Sequence, residues 1–175
     1  VAPPDNVFTV TPSAQPSASW NQIQLTHNTY ENYDFSVSDR YLVWESFDGT
    51  HWQIYLNDDT LVDPAAQVAN IAIPLTSGKV DHRTPTTYGD KVAWSEYDPG
   101  TNRRQIYLYT VNIDPANRVA LGTPVRVTVP GLFGNVFNLN DSTNPQLSGS
   151  LLTWVTSGQV YVYDLATQVI RRVSM

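Results

Sequence analysis

Apolar residues recur at every second position in short segments along most of the chain, which is the pattern of half-buried β-strands. Three of these segments end in tryptophan, at Trp44, Trp94 and Trp154. Each is followed by a second segment that begins with Gln and continues with an aliphatic residue and Tyr, at 53–56, 105–108 and 159–162. The pattern therefore indicates three copies of one structural unit.

The copies also agree outside these segments. A two-residue turn starts five positions before each Trp, as Asp39-Arg40, Gly89-Asp90 and Gly149-Ser150. Small or polar pairs of this kind are typical of tight hairpins. Each unit is thus predicted to hold four strands. They are 33–38, 41–46, 52–57 and 70–76 in the first unit; 84–88, 91–97, 104–111 and 119–128 in the second; and 143–148, 150–156, 158–164 and 168–174 in the third.

Four strands repeated at intervals of this length are the sequence signature of β-propeller blades, since successive Trp residues lie 50 and 60 positions apart. A single sheet leaves one face uncovered, whereas neighbouring blades cover each other when they stack. The three Trp side chains are the natural fillers between blades. We therefore predict an all-β fold of three four-stranded antiparallel blades, at about 27–76, 77–128 and 129–175.

The order Leu-Thr, loop, Pro-x-x-x-Gly-Asp-x-Val-x-Trp, loop, Ile-Tyr-x-Tyr resembles the repeats of TolB-like β-propellers, in particular those of exported cell-surface proteins of bacteria and archaea. The best match is residues 85–94 with 105–109, and the resemblance covers 20–175. It implies a propeller domain in an extracellular, cell-surface or periplasmic protein. The chain departs from the family where repeats usually carry Asp before Ile-Tyr, because Gln53, Gln105 and Gln159 stand there.

The number of blades is unusual, since propellers typically close with 4–8 blades. Either the native chain is longer, or copies assemble, for example as a pair that forms a six-bladed ring. Residues 1–19 are rich in Pro and Ser and are predicted to be a leader or linker with one short strand at 7–10. An extra strand at 20–26 would add to a neighbouring sheet edge, which is otherwise exposed.

Composition excludes several classes of function. The net charge of −6 and only two lysines argue against a nucleic-acid or anionic-membrane partner. The chain has no Cys, so it has neither disulfides nor thiolate metal sites. No apolar run approaches the ~20 residues that a membrane-spanning helix needs, so no membrane insertion is expected.

No catalytic constellation is evident, and no catalytic residue is assigned. A nucleophile needs an adjacent base, and the sequence has no Cys and no Gly-x-Ser-x-Gly elbow. The three histidines, His27, His51 and His82, lack the spacing of metal ligands and are expected to be exposed in loops. Glu45 and Glu96, which follow the Trp strands, are expected at solvated strand ends. An enzyme is therefore the least favoured interpretation.

Binding is better supported, because two classes of loop should emerge on one face of the blades. The first class precedes the first strand of each blade, and the second class joins the second and third strands. The candidate ligand-binding residues there are Phe47, Asp48, His51, Tyr97, Asp98, Asn102, Arg103 and Arg104, together with the loop 133–144. Aromatic, amide and charged side chains of this kind can anchor a protein partner or stack on a sugar. We predict an interaction or scaffold module that acts through protein–protein association or self-assembly. The alternative is a carbohydrate-binding propeller, or the propeller part of a carbohydrate-active enzyme.

An acidic residue also stands thirteen positions before each Trp. These residues, Glu31, Asp81 and Asp141, occupy one loop position in three blades. Ring geometry could bring them together around a cation, for which Ca²⁺ is the natural choice. The alternative is that each carboxylate accepts hydrogen bonds from backbone N–H groups in its own loop. No other cofactor is expected.

Overall fold

The three predicted units are three separate four-stranded antiparallel sheets. The protein is known from a computed structural model that describes residues 25–26, 29–61, 72–129, 131–134 and 136–173. In each sheet the strands follow one another in chain order from one edge to the other. Blade 1 holds β1 (Asn32–Ser38), β2 (Tyr41–Phe47), β3 (Trp52–Asp58) and β4 (Ile73–Pro74). The predicted leader at 1–19, most of the predicted strand at 20–26, and His27 lie outside the described residues.

Blades 2 and 3 repeat this arrangement. Blade 2 holds β5 (His82–Tyr88), β6 (Lys91–Asp98), β7 (Arg103–Thr110) and β10 (Val125–Arg126). Blade 3 holds β11 (Ser142–Ser148), β12 (Leu151–Thr156), β13 (Gln159–Asp164) and β14 (Val169–Arg172). A small hairpin of β8 (Ile113–Asp114) and β9 (Val119–Ala120) lies between β7 and β10. Within the described ranges, the helical elements are a 3-10 turn, Asp59–Leu61, and α1 (Val136–Leu139).

The predicted two-residue turns between the first and second strands are confirmed. Ser38 pairs with Tyr41, and the same pairing recurs in the other two blades. The first turn residue has a positive φ in each case: 36° at Asp39, 56° at Gly89 and 56° at Gly149. A type II′ hairpin turn requires this backbone conformation at its first central residue. Gly meets the requirement without steric cost, and Asp is one of the few other residues that tolerate it.

Each first strand also contains an irregularity that the sequence did not reveal. The pairing register shifts between Tyr33 and Ser36 in blade 1, and at the matching place in blades 2 and 3. The residue within each shift has left-handed φ: 39° at Asp34, 53° at Thr84 and 54° at Asn144. All three stand ten positions before the blade's Trp. A bulge of this kind bends and twists the strand, and its threefold recurrence makes it part of the blade design.

The sheets stack side by side, with the first strands β1, β5 and β11 as successive neighbours. We call the side of each blade that carries Trp44, Trp94 or Trp154 its Trp face, and the other side its reverse face. The Trp face of blade 2 packs on the reverse face of blade 1, where Trp94 contacts a cluster that includes Val43, Ile54 and Leu56. This is the stacking expected of propeller blades.

The junction between blades 2 and 3 has the same arrangement of faces. The Trp face of blade 3 packs on the reverse face of blade 2, where Trp154 lies in a cluster with Ala93 and Ile106. Phe137 of α1 completes this cluster. Because Trp94 and Trp154 are 0% and 1% exposed, the prediction that these indoles fill the space between blades is confirmed. The result is an open arc of three β-propeller blades.

The fourth strands are shorter than predicted. β4 and β10 contain two residues each, and the single strand predicted over 119–128 is instead two strands in different sheets. Gly122, which has φ of 90°, and Pro124, which has no N–H to donate, interrupt the strand between them. No helix in the described part of the chain is long and apolar enough to span a membrane.

Candidate interaction surfaces

The two predicted loop classes do emerge at one end of the blades. The backbone N–H of Phe47 donates to the carbonyl of Glu31 at 3.0 Å, and that of Tyr97 donates to the carbonyl of Asp81 at 3.0 Å. These bonds join the loop before each first strand to the loop between the second and third strands. We call this end of the molecule the loop face. The eight predicted ligand-binding residues belong to its second loop class.

In blade 1 the polar members of this set close their own loop. The Asp48 carboxylate accepts hydrogen bonds from the backbone N–H groups of Thr50 and His51, each at 2.8 Å, and from the Thr50 hydroxyl. The His51 N–H, followed by the Thr50 groups, holds the pKa of Asp48 well below its ordinary value. His51 Nδ1 lies 3.1 Å from Thr50 Oγ1. The Asp48 carboxylate is therefore a structural part of the turn.

Replacing Asp48 by Asn is expected to lower the thermal midpoint at pH 7, because a neutral amide accepts the same N–H bonds less strongly. A group with a depressed folded-state pKa contributes stability above its unfolded pKa, about 3.9 for Asp. That contribution is lost as the pH falls through the folded value. The difference in thermal midpoint between wild type and Asp48→Asn should therefore be constant from pH 7 to 5 and shrink below pH 4. Thermal melts across this range test it, and a pH-independent difference would contradict it.

In blade 2 the equivalent loop is closed by different partners. Asp98 accepts from the Gly100 N–H at 2.8 Å and from Arg126 Nη1 at 2.7 Å. The Tyr97 hydroxyl donates to the side-chain oxygen of Asn102. Arg103 Nε donates to the carbonyl of Leu139 at 2.9 Å, which joins this loop to the segment before blade 3. The predicted residues therefore form two loop closures, one in each blade.

The repeated acids connect neighbouring blades. Asp81 of blade 2 accepts from the backbone N–H of Trp52 in blade 1 at 3.1 Å. Asp141 of blade 3 accepts from the backbone N–H of Arg104 in blade 2 at 2.7 Å. Trp52 and Arg104 hold the same position, directly before the repeated Gln. The carboxylates thus bind the preceding blade, whereas the sequence alternative placed these bonds within each acid's own loop.

The metal site at the repeated acids stays a prediction. Among the described residues, no group of three His, Asp or Glu side chains could hold a metal ion. Asp81 and Asp141 each bind a separate blade. Glu31 is exposed, and there is no preceding blade in the described chain for its carboxylate to bind.

The junction of blades 1 and 2 contains a buried ion pair. Glu45 is fully buried, and its carboxylate accepts from Arg83 Nε at 3.0 Å and from the Thr84 N–H at 2.7 Å. Arg83 Nη2 lies 2.8 Å from the other carboxylate oxygen. The guanidinium also lies over the Trp52 ring, 4.2 Å from its centroid. The expectation that Glu45 is solvated was wrong, because a cation on the next blade covers it.

The prediction that His82 is exposed in a loop was also wrong. It is the first residue of β5 and only 4% exposed. Its Nε2 lies 3.3 Å from Glu96 Oε2, and the indole N–H of Trp94 donates to the same oxygen at 3.2 Å. Glu96, whose side chain is 19% exposed, therefore belongs to a partly buried polar group at the strand end. His51 does lie in a loop, as predicted.

The Gln residues that depart from the family pattern have a clear structural role. The Gln53 side-chain carbonyl accepts from the Thr76 hydroxyl at 3.0 Å, and Thr76 Oγ1 accepts from the Ile54 N–H at 2.8 Å. Gln105 and Thr128 repeat this arrangement at the Ile106 N–H. The Leu-Thr and Val-Thr segments that follow the fourth strands are thereby fixed to the third strands. The sequence motif was visible, but this connection was not.

Exposed aromatic side chains cluster at the loop face of blade 1. Trp52 lies 5.4 Å from Phe47 and 5.6 Å from Tyr33, measured between ring centroids. Tyr30 meets Phe47 edge-on at 6.1 Å and covers Gly49, whose added Cβ would lie 3.0 Å from the Tyr30 hydroxyl. Arg83 already occupies a face of Trp52. The cluster therefore stabilises the loop face and leaves mainly Tyr30 and Tyr33 exposed.

Among the described residues, no blade covers either outer face of the arc, and we call these the open faces. On the Trp face of blade 1, Phe35 is 77% and Val37 66% exposed. They line an apolar groove of about 430 Å³ together with Leu25, Thr26, Leu42 and Trp44. On the reverse face of blade 3, Leu151 is 42% and Val160 36% exposed. Open apolar sheet faces of this kind mark interaction surfaces.

Comparison with known proteins supports the fold. The structure is similar to TolB from Acinetobacter baumannii (TM-score 0.53, 16% identity, 81% of this chain and 32% of that chain). It is also similar to the tricorn protease (TM-score 0.52, 13% identity, 79% and 12%). A third similar structure is human WBSCR16 (TM-score 0.53, 17% identity, 83% and 40%). The chain thus spans between about a tenth and two fifths of the length of these proteins.

Sequence comparison adds no closer relative. No family model matches the chain, and no curated protein matches it. Similarity to solved structures at 13–17% identity shows the fold alone. TolB and the tricorn protease are propeller proteins, so the fold predicted from the repeat is confirmed. The described residues form a β-propeller module of three blades.

Proposed function

We propose that this chain is a non-enzymatic interaction module of an exported or cell-surface protein, and that it acts by self-assembly. In the assembly, the reverse face of blade 3 of one copy packs on the Trp face of blade 1 of another. Two copies would supply six blades, which is within the 4–8 blades of known propellers. Export is supported by the resemblance to TolB-like repeats of exported proteins.

One observation carries the proposal: two first-strand positions that are buried in blades 2 and 3 are exposed in blade 1, although Trp44 on the same face is itself only 5% exposed. Pro85 and Pro145, which are buried, align with Phe35, which is 77% exposed. Thr87 and Leu147, at 4% and 8% exposure, align with Val37 at 66%. Leu147 packs with Ala93 and Ile106 of the preceding blade, and the Thr87 N–H donates to Ser36 of the preceding blade. The first blade therefore presents a docking surface that lacks its blade.

The reverse face of blade 3 shows the complementary contrast. Ile54 and Ile106 are 0% exposed, whereas Val160 at the same position is 36% exposed. Tyr41 is 9% exposed, and its counterpart Leu151 is 42% exposed. At the internal junctions, the buried residues at these positions form the surface on which the next blade packs. The two open faces are thus the two halves of a junction that the chain already forms twice.

The repeated acid supplies a polar contact for the same junction. Trp52 and Arg104 each stand directly before the repeated Gln. Gly158 stands at this position in blade 3, so its backbone N–H is the matching donor. In the proposed assembly, Glu31 of one copy accepts from Gly158 of another, as Asp81 and Asp141 accept within the chain. Such a head-to-tail contact closes into a ring only if its rotation permits.

Mass measurement by sedimentation or light scattering tests the proposal. Wild type should be a dimer that dissociates when Phe35→Asp or Leu151→Asp places a charge on either open face. Val119→Asp is the matched control, since Val119 is 51% exposed but lies on the β8–β9 hairpin, and it should stay dimeric. Mixing Phe35→Asp with Leu151→Asp should restore a dimer, because one wild-type junction remains between them. A monomeric wild type at high concentration would contradict self-assembly and favour a different protein partner.

Glycan binding and a Ca²⁺ site remain predictions that no observation here favours. The aromatic and polar loop residues that prompted the carbohydrate alternative are engaged with one another, as described for Trp52, Asp48 and Tyr97. The acids that prompted the Ca²⁺ prediction bind backbone N–H groups of neighbouring blades or stand alone.

A further inference from the structure

A large cavity separates the outer strands of blades 2 and 3. Its volume is about 920 Å³, and its walls come from β7 and β10 of blade 2 and from β13 and β14 of blade 3. Apolar and aromatic side chains line most of it, among them Leu108, Phe133, Tyr163, Leu165 and Ile170. Small-molecule sites in proteins usually have volumes of about 300–1,000 Å³ and predominantly apolar linings. The cavity has both properties.

The other junction shows why this cavity exists. Between β7 and β10 the chain makes the β8–β9 hairpin, and Ile113 and Ala120 of that hairpin pack against the cluster between blades 1 and 2. The Tyr109 hydroxyl lies at the base of the hairpin, 2.9 Å from the Asn112 carbonyl and 2.5 Å from the Leu121 carbonyl, and its single O–H is shared between these two acceptors. In blade 3 the same connection is a four-residue turn at 165–168. Blade 3 therefore has no hairpin with which to fill the space beside blade 2.

The rim of the cavity is also unusually apolar. Val125 is 65% exposed, Phe133 46% and Leu132 40%, and all three line the cavity. Isolated exposed apolar residues are normal on protein surfaces, but several around one concavity mark a binding site. The exposed rim makes the cavity accessible from solvent.

Lys91 supplies a cation at the cavity. It lies on the reverse face of blade 2, which faces blade 3, and the described lining includes no Asp or Glu. Arg126 also borders the cavity, but its side chain lies on the Trp face of blade 2 and pairs there with Asp98 at 2.7 Å. Lys91 pairs with Asp90 at 2.7 Å, and this pair is weak because Asp90 is largely exposed. A bound molecule with an anionic end would therefore meet the Lys91 ammonium favourably, whereas a cationic end would not.

We propose that this cavity binds a single alkyl chain that carries an anionic head group. The chain occupies the apolar space that a hairpin fills at the other junction, and the head group lies toward Lys91. This function is separable from the association through the open faces, because Val125, the wall residue to be varied, lies on the reverse face of blade 2, within the internal junction of blades 2 and 3.

Isothermal titration with dodecanoate below its micellar concentration tests the proposal. Wild type should bind one equivalent, and dodecyltrimethylammonium should bind at least about tenfold more weakly, or about 1.4 kcal/mol. Val125→Asp places a charge on the cavity wall and should weaken dodecanoate binding at least about tenfold. Val119→Asp is the matched control, because Val119 is a similarly exposed valine in a two-residue strand of the neighbouring hairpin, and it should bind like wild type.

Two results would overturn the proposal. One is absence of dodecanoate binding by folded wild-type protein. The other is equal loss of binding in both valine variants, which would indicate nonspecific adsorption of the alkyl chain. Because neither Val125 nor Val119 lies on an open face, the mass of each variant in solution should match that of wild type. Failure of self-assembly and failure of ligand binding are therefore separable.

Discussion

Replacing Trp94 by Ala is expected to lower the free energy of unfolding by about 3–5 kcal/mol, the range observed when a fully buried aromatic side chain is truncated. Trp94 is 0% exposed and lies in the cluster between blades 1 and 2. Its indole N–H also binds Glu96, so the variant loses packing and a hydrogen bond together. Equilibrium unfolding in urea, followed by the fluorescence of the remaining indoles, gives the value.

The control for this prediction is Val119→Ala, because Val119 is half exposed. Substitutions at exposed sites usually change stability by less than about 0.5 kcal/mol. If Trp94→Ala cost less than about 1 kcal/mol, Trp94 would not be the packing centre between blades 1 and 2. The marginal stability of most domains means that Trp94→Ala will leave little folded protein at elevated temperature.

The second large effect is expected at the buried ion pair. Arg83→Met leaves the Glu45 carboxylate buried without its cation, and breaking a buried pair in this way costs about 3–5 kcal/mol. Replacing both partners by apolar residues is often close to neutral. The double variant Glu45→Leu with Arg83→Met should therefore be more stable than Arg83→Met alone. Urea unfolding of Arg83→Met, Glu45→Leu and the double variant gives the free energies of unfolding for this double-mutant cycle.

Lys91→Met is the matched control for Arg83→Met. Its partner Asp90 has a side chain that is 62% exposed, and exposed pairs contribute about 0–1 kcal/mol. The predicted order of stability is therefore wild type close to Lys91→Met, then the double variant, then Arg83→Met. A double variant no better than Arg83→Met would show that the loss comes from the Arg83 stem over Trp52, since long side chains also stabilise by packing.

The architecture was predictable because the chain repeats it. One alternating segment ending in Trp is weak evidence, but three copies aligned on Trp44, Trp94 and Trp154 fix the strand order and the hairpin turns. The two-residue turns followed from Asp39, Gly89 and Gly149, since local chemistry dictates turn type. Stacking followed from the need to cover both faces of each sheet.

The contacts between blades were not predictable, because they join residues far apart in the chain. Glu45 and Arg83 are 38 positions apart, and Arg104 and Asp141 are 37 apart. No residue next to His82 or Glu96 in the sequence predicts that these side chains contact each other. The bulge at Thr84 was also hidden, because a β-branched residue gives no local signal for left-handed φ. The repeated acids were recognised, but their donors lie on the preceding blade.

The β8–β9 hairpin illustrates the same limit on a larger scale. The sequence of 111–124 has turn residues and short apolar segments, and the strand predicted over 119–128 was continuous. Only the packing of Ile113 and Ala120 against the first junction shows why the chain leaves the sheet here. The cavity at the second junction follows from the absence of this hairpin in blade 3, which no local pattern reveals.

The central claim is that blade 1 packs directly on blade 2 through their first strands, and disulfide trapping tests it most directly. The chain has no Cys, and Ser36 Oγ lies 3.1 Å from the Thr87 backbone nitrogen across this junction. Disulfides require Cα atoms within about 7 Å. Ser36→Cys with Thr87→Cys should form an intramolecular disulfide in nearly all folded molecules under mild oxidation. An intramolecular disulfide between Ser36→Cys and Ser148→Cys, with none between 36 and 87, would contradict the blade order.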